Sequence, residues 1–434
     1  MMRTHYCSEI VPALAGKRVK LAGWVHEIRD FGAVKFILLR DRSGITQLTI
    51  KKDSPETSKE LVEAAESLVK ETAIVAEGVV AGKTIAKVGR EIMPTRIEIV
   101  GRVLKQVPFE VTGKVPAEID VRLDHRSIDL RRLETRAIFK IRSEAQKAFR
   151  NAMLDLDCEE ITPPCIVAES TEGGTDLFHV KYFEREAFLA QSPQLYKQLA
   201  VIGGLDRVFM TTPVFRAEKH NTTVHLNEST QMDCEIGFAD DEDALEFLEK
   251  TIIAILAAVK KNCAAELALL KSDFSVPHDV PRFEYGEIIE KLEKKKIAME
   301  WGEDFSKETE QKLPALLGSE LFFITRWPTK IRAFYSMPLP ENPKVCKAYD
   351  LSFKGLEIAS GAQRIHDPAL LVKQLEFHGL KPKDFEPYVD AFRYGAVPHA
   401  GWSIGLERLV MRLANRDNIR ECALFPRDRT RLTP

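Results

Sequence analysis

The chain has 434 residues, 44% of them hydrophobic and 29% charged, with 63 basic residues against 65 acidic ones and a formal charge of −2. That length exceeds one ordinary core, the composition excludes a disordered or low-complexity chain, and the charge balance excludes a global attraction to nucleic acid, so any such surface must be a local basic face. The opening MMRTHYCSEIVPALAGKRVK has no apolar signal segment, and the longest apolar run, around Ile252 to Val259, is far short of a membrane span, which predicts a cytoplasmic protein with no membrane partner.

From Val19 to about Val103 come five short β-rich runs, VKLAGWV, VKFILLRD, ITQLTI, AIVAEGVV and RIEIVGRVL, separated by Gly, Asp or Ser. They predict a small barrel over residues 1–105, with an OB-fold the leading candidate and the polar SPETSKELVEAAESLVKE as a helical insertion between the third and fourth strands. Residues 106–130 carry prolines and no clean periodicity, and read as a hinge between domains. In the remainder, 131–434, Ile138, Ile141, Ala145, Ala148, Phe149 and Ala152 recur at three- and four-residue steps, the mark of a long amphipathic helix that ends before EEITPPCIV. Later β-rich runs mix with helices such as DALEFLEKTIIAILAAVKK without regular βαβ alternation, which predicts an α+β domain on an antiparallel sheet. Seven cysteines lie scattered with no CxxC pair, so neither a zinc knuckle nor a disulfide framework has support.

Three segments of this second domain stand out. The first is the long helix followed by a strand and Pro164. The second is VFRAEKHNTTVHLNESTQMDCEIGF, where Phe215-Arg216-Ala217-Glu218 opens a hairpin, a polar loop follows, and the return strand carries Asp233 and Glu235. The third is GWSIGLERLVMRL, a strand with Gly401 and Gly405 and then a helix whose apolar face is Leu406, Leu409, Val410 and Leu413. Together they resemble the three signature motifs of class II aminoacyl-tRNA synthetases, over essentially the whole chain. AQSPQLYKQL then matches the amino-acid-binding element of the aspartyl-tRNA synthetases, subclass IIb, and the ending FPRDRTRLTP, with no bulky insertion between the second and third segments, resembles their archaeal/eukaryotic type. The implied fold is multidomain: an N-terminal OB-fold β-barrel that binds the anticodon, plus an α+β class II synthetase catalytic domain built on an antiparallel sheet.

The resemblance also implies chemistry. The carboxylate of L-aspartate attacks the α-phosphate of ATP, and Arg216 bridges both by bidentate hydrogen bonds. Glu218 would hold the adenine amino group, His225 would lie near the triphosphate or the acceptor end of tRNA, and Arg408 would contact the γ-phosphate and stack on adenine. Gly401 and Gly405 would let the backbone approach the nucleotide. No GxxxxGK[ST] or GxGxxG follows a strand, so arginines, aromatics and metal must grip ATP. Asp350 in CKAYDLSF and Glu357 in KGLEIASG, with Ser360, would ligate Mg2+.

In AQSPQLYKQL, Gln194 would bind the substrate backbone and Lys197 its side-chain carboxylate, which Arg364 would grip as well; an amide there would leave the cations unpaired, which rejects asparagine. Ser360 would also face the aspartate. TEGGTDLF resembles a lid, with Glu172 and Asp233 pairing the substrate ammonium group and Gly173 and Gly174 as hinges. Ala362 replaces a glycine usual in the family. In the barrel, Phe36 and Gln47 match residues that stack on and hydrogen-bond an anticodon base, and His26 stands where archaeal enzymes strict for tRNA(Asp) resemble one another in having tryptophan, while relaxed ones tend to have histidine. The partners so implied are tRNA(Asp), tRNA(Asn) as a second acceptor, and another copy of the chain in a homodimer. Residues 236–345 read mostly as scaffold. Three rivals remain: a strict aspartyl enzyme, an asparaginyl enzyme, against which Lys197 argues, and a non-catalytic tRNA-binding paralogue, against which the retained Arg216, Glu218, Asp350, Glu357 and Arg408 argue.

Overall fold

The computed structural model describes residues 2–84, 86–168, 177–219 and 222–434. They form two units, Met1–Arg136 and Ala137–Pro434.

In the first unit, β1 (Arg18–Asp30), β2 (Val34–Arg40), β3 (Ile45–Lys51), β4 (Ala73–Val80) and β5 (Glu91–Gly101) close a barrel in the order β1-β2-β3-β5-β4, the predicted architecture. Alternate residues such as Leu21, Ile37, Leu39, Leu48, Ile74 and Ala76 fill its interior. Helix α1 (Lys59–Glu66) falls inside the predicted insertion, where the Ser58 hydroxyl accepts from the Leu61 amide and starts the helix. β5 begins at Glu91, ahead of the predicted Arg96, and runs through Pro94. The β4–β5 register slips there, and Gly78 sits opposite Pro94 so tightly that a Cβ would come 2.3 Å from the Met93 carbonyl oxygen. A bulge opposite a glycine is how the strand tolerates a residue with no N–H. Residues 106–130, expected as a hinge, group with the first unit and hold α2 (Ile119–Asp124) and α3 (Arg126–Asp129). The buried Asp129 carboxylate, shared by Arg122 (2.7 Å) and Arg126 (2.5 Å), ties these turns together, an ionic anchor that leaves no hydrophobic period in the sequence.

The helix predicted around Ile138 is α4 (Leu133–Asp155), followed by β6 (Glu159–Glu160) and a small sheet of β7 (Ile166–Val167), β8 (His179–Tyr182) and β9 (Arg185–Leu189). Then come α5 (Gln194–Ala200), the hairpin β10 (Arg207–Phe215) and β11 (Glu228–Gly237), α6 (Asp241–Asn262), α7 (Ala264–Leu269), β12 (Arg282–Glu284), α8 (Tyr285–Lys294) and α9 (Lys307–Leu317). The chain finishes with β13 (Leu321–Thr325), β14 (Ala348–Phe353), β15 (Glu357–Gln363), α10 (Pro368–Phe377), α11 (Glu386–Arg393), β16 (His399–Gly405) and α12 (Leu406–Leu413). Among the described residues, eight strands form one sheet in the order β12-β13-β14-β15-β16-β11-β10-β6. Its middle is antiparallel as expected, but β12 and β6 add parallel pairs at the two edges, so the sheet is mixed. Both edge strands are short and lie far along the chain from their partners, β12 reaching β13 through α8 and α9, in keeping with the long connection a parallel pair requires. Helices α4, α6 and α12 bury Ile141, Phe149, Leu248, Ile255, Leu409 and Leu413 against Met232, Cys234, Leu351, Trp402 and Ile404 of the sheet. Among the described residues no helix is long and apolar enough to cross a membrane.

Candidate active site

Because Met232, Cys234 and Ile236 of β11 and Trp402 and Ile404 of β16 face the core, the strand period of two sends Gln231, Asp233, Glu235, Gly401, Ser403 and Gly405 to the opposite face. The register then pairs Gln231 with Gly405, Asp233 with Ser403 and Glu235 with Gly401. A Cβ on Gly401 would lie 2.2 Å from Glu235 Oε2, so this glycine makes room for a buried carboxylate and not, as expected, for a nucleotide. Gly405 has no atom closer than 3.9 Å to such a Cβ and does line the open site. A Cβ on Gly361 would come 2.4 Å from the Tyr349 ring, so only glycine fits there, while Ala362 stands beside it on the cavity wall.

Among the described residues that face carries two adjoining cavities. One, of about 160 Å3, is lined by Arg216, Glu218, His225, Glu357, Gly405 and Arg408, the residues expected to take ATP. The other, of about 360 Å3, is lined by Gln194, Asp233, Ser360 and Arg364, expected to take aspartate. Arg216, Glu357 and Ser360 line both. Asn227 fixes the end of β10: its side-chain amide donates to the carbonyls of Arg216 (2.7 Å) and Glu218 (3.2 Å). Arg408 donates to His225 Nε2 at 3.0 Å, so the proton of that ring sits on Nδ1, which donates to the Thr222 hydroxyl at 2.8 Å. Burial, reinforced by the Arg408 charge, lowers the His225 pKa and keeps the imidazole neutral.

Spacing on α5 puts Gln194, Lys197 and Gln198 on one face. Lys197 is 0% exposed; its ammonium donates to Asp233 Oδ1 (2.8 Å) and the Trp402 carbonyl (3.2 Å) and lies 3.4 Å from Glu235 Oε2. Arg364 donates to both oxygens of Glu235, at 2.8 and 3.1 Å. The picture of two cations facing one substrate anion is therefore altered: each already holds a protein carboxylate, and Lys197 lies beneath the cavity and not on its lining. Burial raises the Asp233 pKa against the pull of Lys197, whereas at Glu235 the same burial is overcome by Arg364 and Lys197, and its carboxyl is held low.

Asp350 and Ser360 face each other in the β14–β15 register. The Asp350 carboxylate is taken by Arg332, whose guanidinium also donates to the Ser360 hydroxyl at 3.2 Å and lies 4.5 Å over the Trp327 ring. Burial, opposed by Arg332 and aided by the Glu357 charge, pushes the Asp350 carboxyl up to about 7. Glu310 of α9 is likewise pushed up to about 7, by burial and then by Glu357. Crowded carboxylates with raised pKa values suit a divalent cation, and with Asp350 engaged, Glu357 and Ser360 are the donors on the shared wall. Among the described residues no group of three or more His, Cys, Asp or Glu could hold a metal unaided. A Mg2+ ion carried with a nucleotide would take one or two carboxylates and complete its shell with phosphate and water. Arg332, Tyr335 and Glu310 come from the stretch read as scaffold; a lone arginine in TKIRAFYS has no periodic signature, and only the tertiary fold reveals it.

Glu310 gives a pH test. With its folded pKa above the ordinary value of 4.5, its ionisation penalty is absent below about pH 4.5 and complete above about pH 7. Glu310→Gln is expected to raise stability by about 1–3 kcal/mol at pH 8 and by much less at pH 5, in thermal melts with chelator. An equal gain at both pH values would assign the effect to packing.

On the outer face of the barrel, Phe36 and Gln47 line one recess of about 290 Å3 with Arg29, Phe31, Leu38, Lys87 and Val88. His26 is not on that lining. It is the extra residue of a bulge in β1 between Val25 and Glu27, 9% exposed, with Nδ1 2.7 Å from Arg40 Nη1. Arg40 in turn donates to both oxygens of Glu71 (3.0 and 2.8 Å), which also pairs with Arg131 at 3.1 Å. Glu172, Gly173 and Gly174 lie outside the described residues.

Residues 118–429 match the family model described as tRNA synthetases class II (D, K and N), and residues 19–100 match that of the OB-fold nucleic acid binding domain. The chain is similar to an aspartate-tRNA(Asp/Asn) ligase of Methanococcus aeolicus, 47% identical over all of this chain and 98% of the relative. It is also similar to an aspartate-tRNA(Asp) ligase of Pyrococcus furiosus, 46% identical over the whole of both. Among solved structures, the asparaginyl-tRNA synthetase of Pyrococcus horikoshii with asparaginyl-adenylate superposes with a TM-score of 0.94 at 34% identity, covering all of both chains. The aspartyl tRNA synthetase of Entamoeba histolytica gives 0.89 at 32%, over 99% of this chain and 92% of that one.

Proposed function

The chain belongs to the tRNA synthetases class II (D, K and N), and from that premise we propose that it is an aspartate-tRNA ligase that activates L-aspartate with ATP and esterifies tRNA(Asp) and tRNA(Asn). Aspartate as the amino acid follows the full-length relatives, named aspartate-tRNA ligases at 45–47% identity. What carries the reading structurally is Arg216, on the shared wall of the two cavities.

In the first step an oxygen of the aspartate α-carboxylate attacks the α-phosphorus, the bond to diphosphate breaks, and aspartyl-adenylate remains. Arg216 spans the attacking carboxylate and the phosphoryl oxygens, where negative charge grows. Glu218, His225 and Arg408 orient the nucleotide. Gln194, Asp233 and Glu172 hold the amino-acid backbone, Arg364 grips the side-chain carboxylate at the wall, and Lys197 sets the charge of the floor through Asp233. An asparagine amide there would leave donors unpaired, which is how the site excludes it. Glu357 and Ser360, with Asp350 behind Arg332, would hold Mg2+, whose chemistry there is to neutralise the leaving diphosphate. In the second step a ribose hydroxyl at the tRNA 3′ end attacks the adenylate carbonyl, losing its proton, and AMP departs.

Residues 1–105 are assigned to anticodon binding, with Phe36 stacking on one base and Gln47 hydrogen-bonding it, 131–434 to catalysis and 106–130 to the linker between them. Exposed Leu154 of α4 and Ile166 beside Pro164 support a homodimer through the first motif, and a tRNA substrate supports a cytoplasmic location.

The second acceptor is the finer part of the proposal. Relatives named for tRNA(Asp/Asn) and for tRNA(Asp) alone are equally similar, so His26 carries it. Charging tRNA(Asp) and tRNA(Asn) transcripts with labelled aspartate at one salt concentration is expected to succeed for both, with diphosphate exchange driven by aspartate and not by asparagine or lysine. His26→Trp is expected to cut tRNA(Asn) charging more than tRNA(Asp) charging; an unchanged ratio would remove the basis for a relaxed enzyme.

A further inference from the structure

Resting on the reading of the barrel as an anticodon-binding unit, we propose that Phe31 is a second stacking platform beside Phe36, so that the recess holds two neighbouring unpaired bases of an RNA loop turned away from each other.

Phe31 is 70% exposed at the tip of the β1–β2 turn, where its amide donates to the Val34 carbonyl at 3.0 Å and the Gly32 amide to Asp30 Oδ1 at 3.0 Å. Gly32 has a φ of +78°, the left-handed conformation that glycine adopts without strain, so the turn that presents the ring is built into the backbone. A single exposed aromatic needs no explanation in itself. This one, however, stands edge-on to half-buried Phe36, with ring centres 5.9 Å apart and planes at 70°, and both rings line the recess that contains Gln47. Rings at that angle cannot sandwich one flat base. A base stacked flat on Phe36 meets only the edge of Phe31, and the free face of Phe31 is left for the next base, which must unstack from the first to reach it. Unpaired loops are the RNA element whose bases can splay in this way. Arg29 and Lys87 at the same recess supply cations for the intervening phosphates, and the other lining residues, Leu38 and Val88, suit base faces.

The test compares full-length wild type, Phe31→Ala, Phe31→Tyr, Phe36→Ala and the double alanine variant, charging a tRNA(Asp) transcript at fixed salt. Aspartate-dependent diphosphate exchange serves as a readout that no anticodon contact should move. Stacking contributes on the order of 1–3 kcal/mol per base, so Phe31→Ala is expected to raise the KM for tRNA by roughly 5- to 150-fold while exchange stays unchanged. Phe31→Tyr should restore the KM, and the two alanine effects should multiply. A double variant no worse than Phe36→Ala would make Phe31 a prop for its neighbour and overturn the proposal. So would a Phe31→Ala KM within twofold of wild type while Phe36→Ala fails, an outcome that leaves the reading of the barrel intact. Absence of exchange in the wild type would instead sink the ligase reading, and filter binding of the transcript would still report on Phe31.

Discussion

Lys197→Met is expected to cost about 3–5 kcal/mol of folding stability at pH 8, the range for removing one member of a buried ion pair. The reason is the charge set at the wall and floor of the aspartate cavity: Lys197 and Arg364 against Asp233 and Glu235, all buried. Arg364 still covers Glu235 in the variant, but among the described residues Asp233 keeps only the Ser403 hydroxyl at 3.2 Å. The sign of the pH dependence follows. Asp233 already has a raised folded pKa, and loss of Lys197 raises it further, so the variant binds a proton in the folded state that the unfolded chain has released. The deficit should therefore shrink as pH falls toward 5 and be largest above neutrality. Urea unfolding at pH 5 and pH 8 measures it directly. Adding Asp233→Asn should recover much of the stability and none of the activity. A deficit of equal size at both pH values would show that the cost comes from packing around α5 and not from an unpaired carboxylate.

Arg216→Ala is expected to lower aspartate-dependent diphosphate exchange by about 100- to 1,000-fold with the melting temperature unchanged, the scale for losing a preorganised donor at a developing charge. Its backbone is held by Asn227 independently of the guanidinium, through hydrogen bonds of 2.7 and 2.9 Å, so the hairpin should survive the truncation. Arg216→Lys is expected to recover little, since an ammonium point charge cannot bridge carboxylate and phosphate with a planar fork. A lysine variant with most of its activity would reduce the role to charge alone. An alanine variant within tenfold of wild type would mean that the reaction does not occur at the shared wall.

Much of this architecture is written in short-range pattern. Short β-rich runs parted by Gly, Asp or Ser in the first hundred residues predict the barrel, and the three- and four-residue steps of Ile138, Ile141, Ala145 and Phe149 predict α4 because a helix must bury one face. Alternation in QMDCEIG and GWSIG even places Asp233, Glu235, Ser403 and Gly405 on faces opposite the core. The six ATP residues named from motifs line one cavity, and Gln194, Asp233, Ser360 and Arg364 line the other.

What periodicity does not carry is which face meets which across the chain. The sequence determined that Lys197 is a cation on α5; only the fold decided that it neutralises Asp233 and touches the carbonyl of Trp402, 205 residues away. The start of β5 at Glu91 depends on a bulge opposite Gly78, and the parallel edge strands depend on long crossovers, neither of which leaves a local period. Arg332 enters the site, Glu310 comes under the charge of Glu357, and His26 separates from Phe36 and Gln47, for the same physical reason. A buried charge takes its role from partners brought by strand register and helix packing, and those contacts are set by the whole sheet and not by the neighbours in sequence.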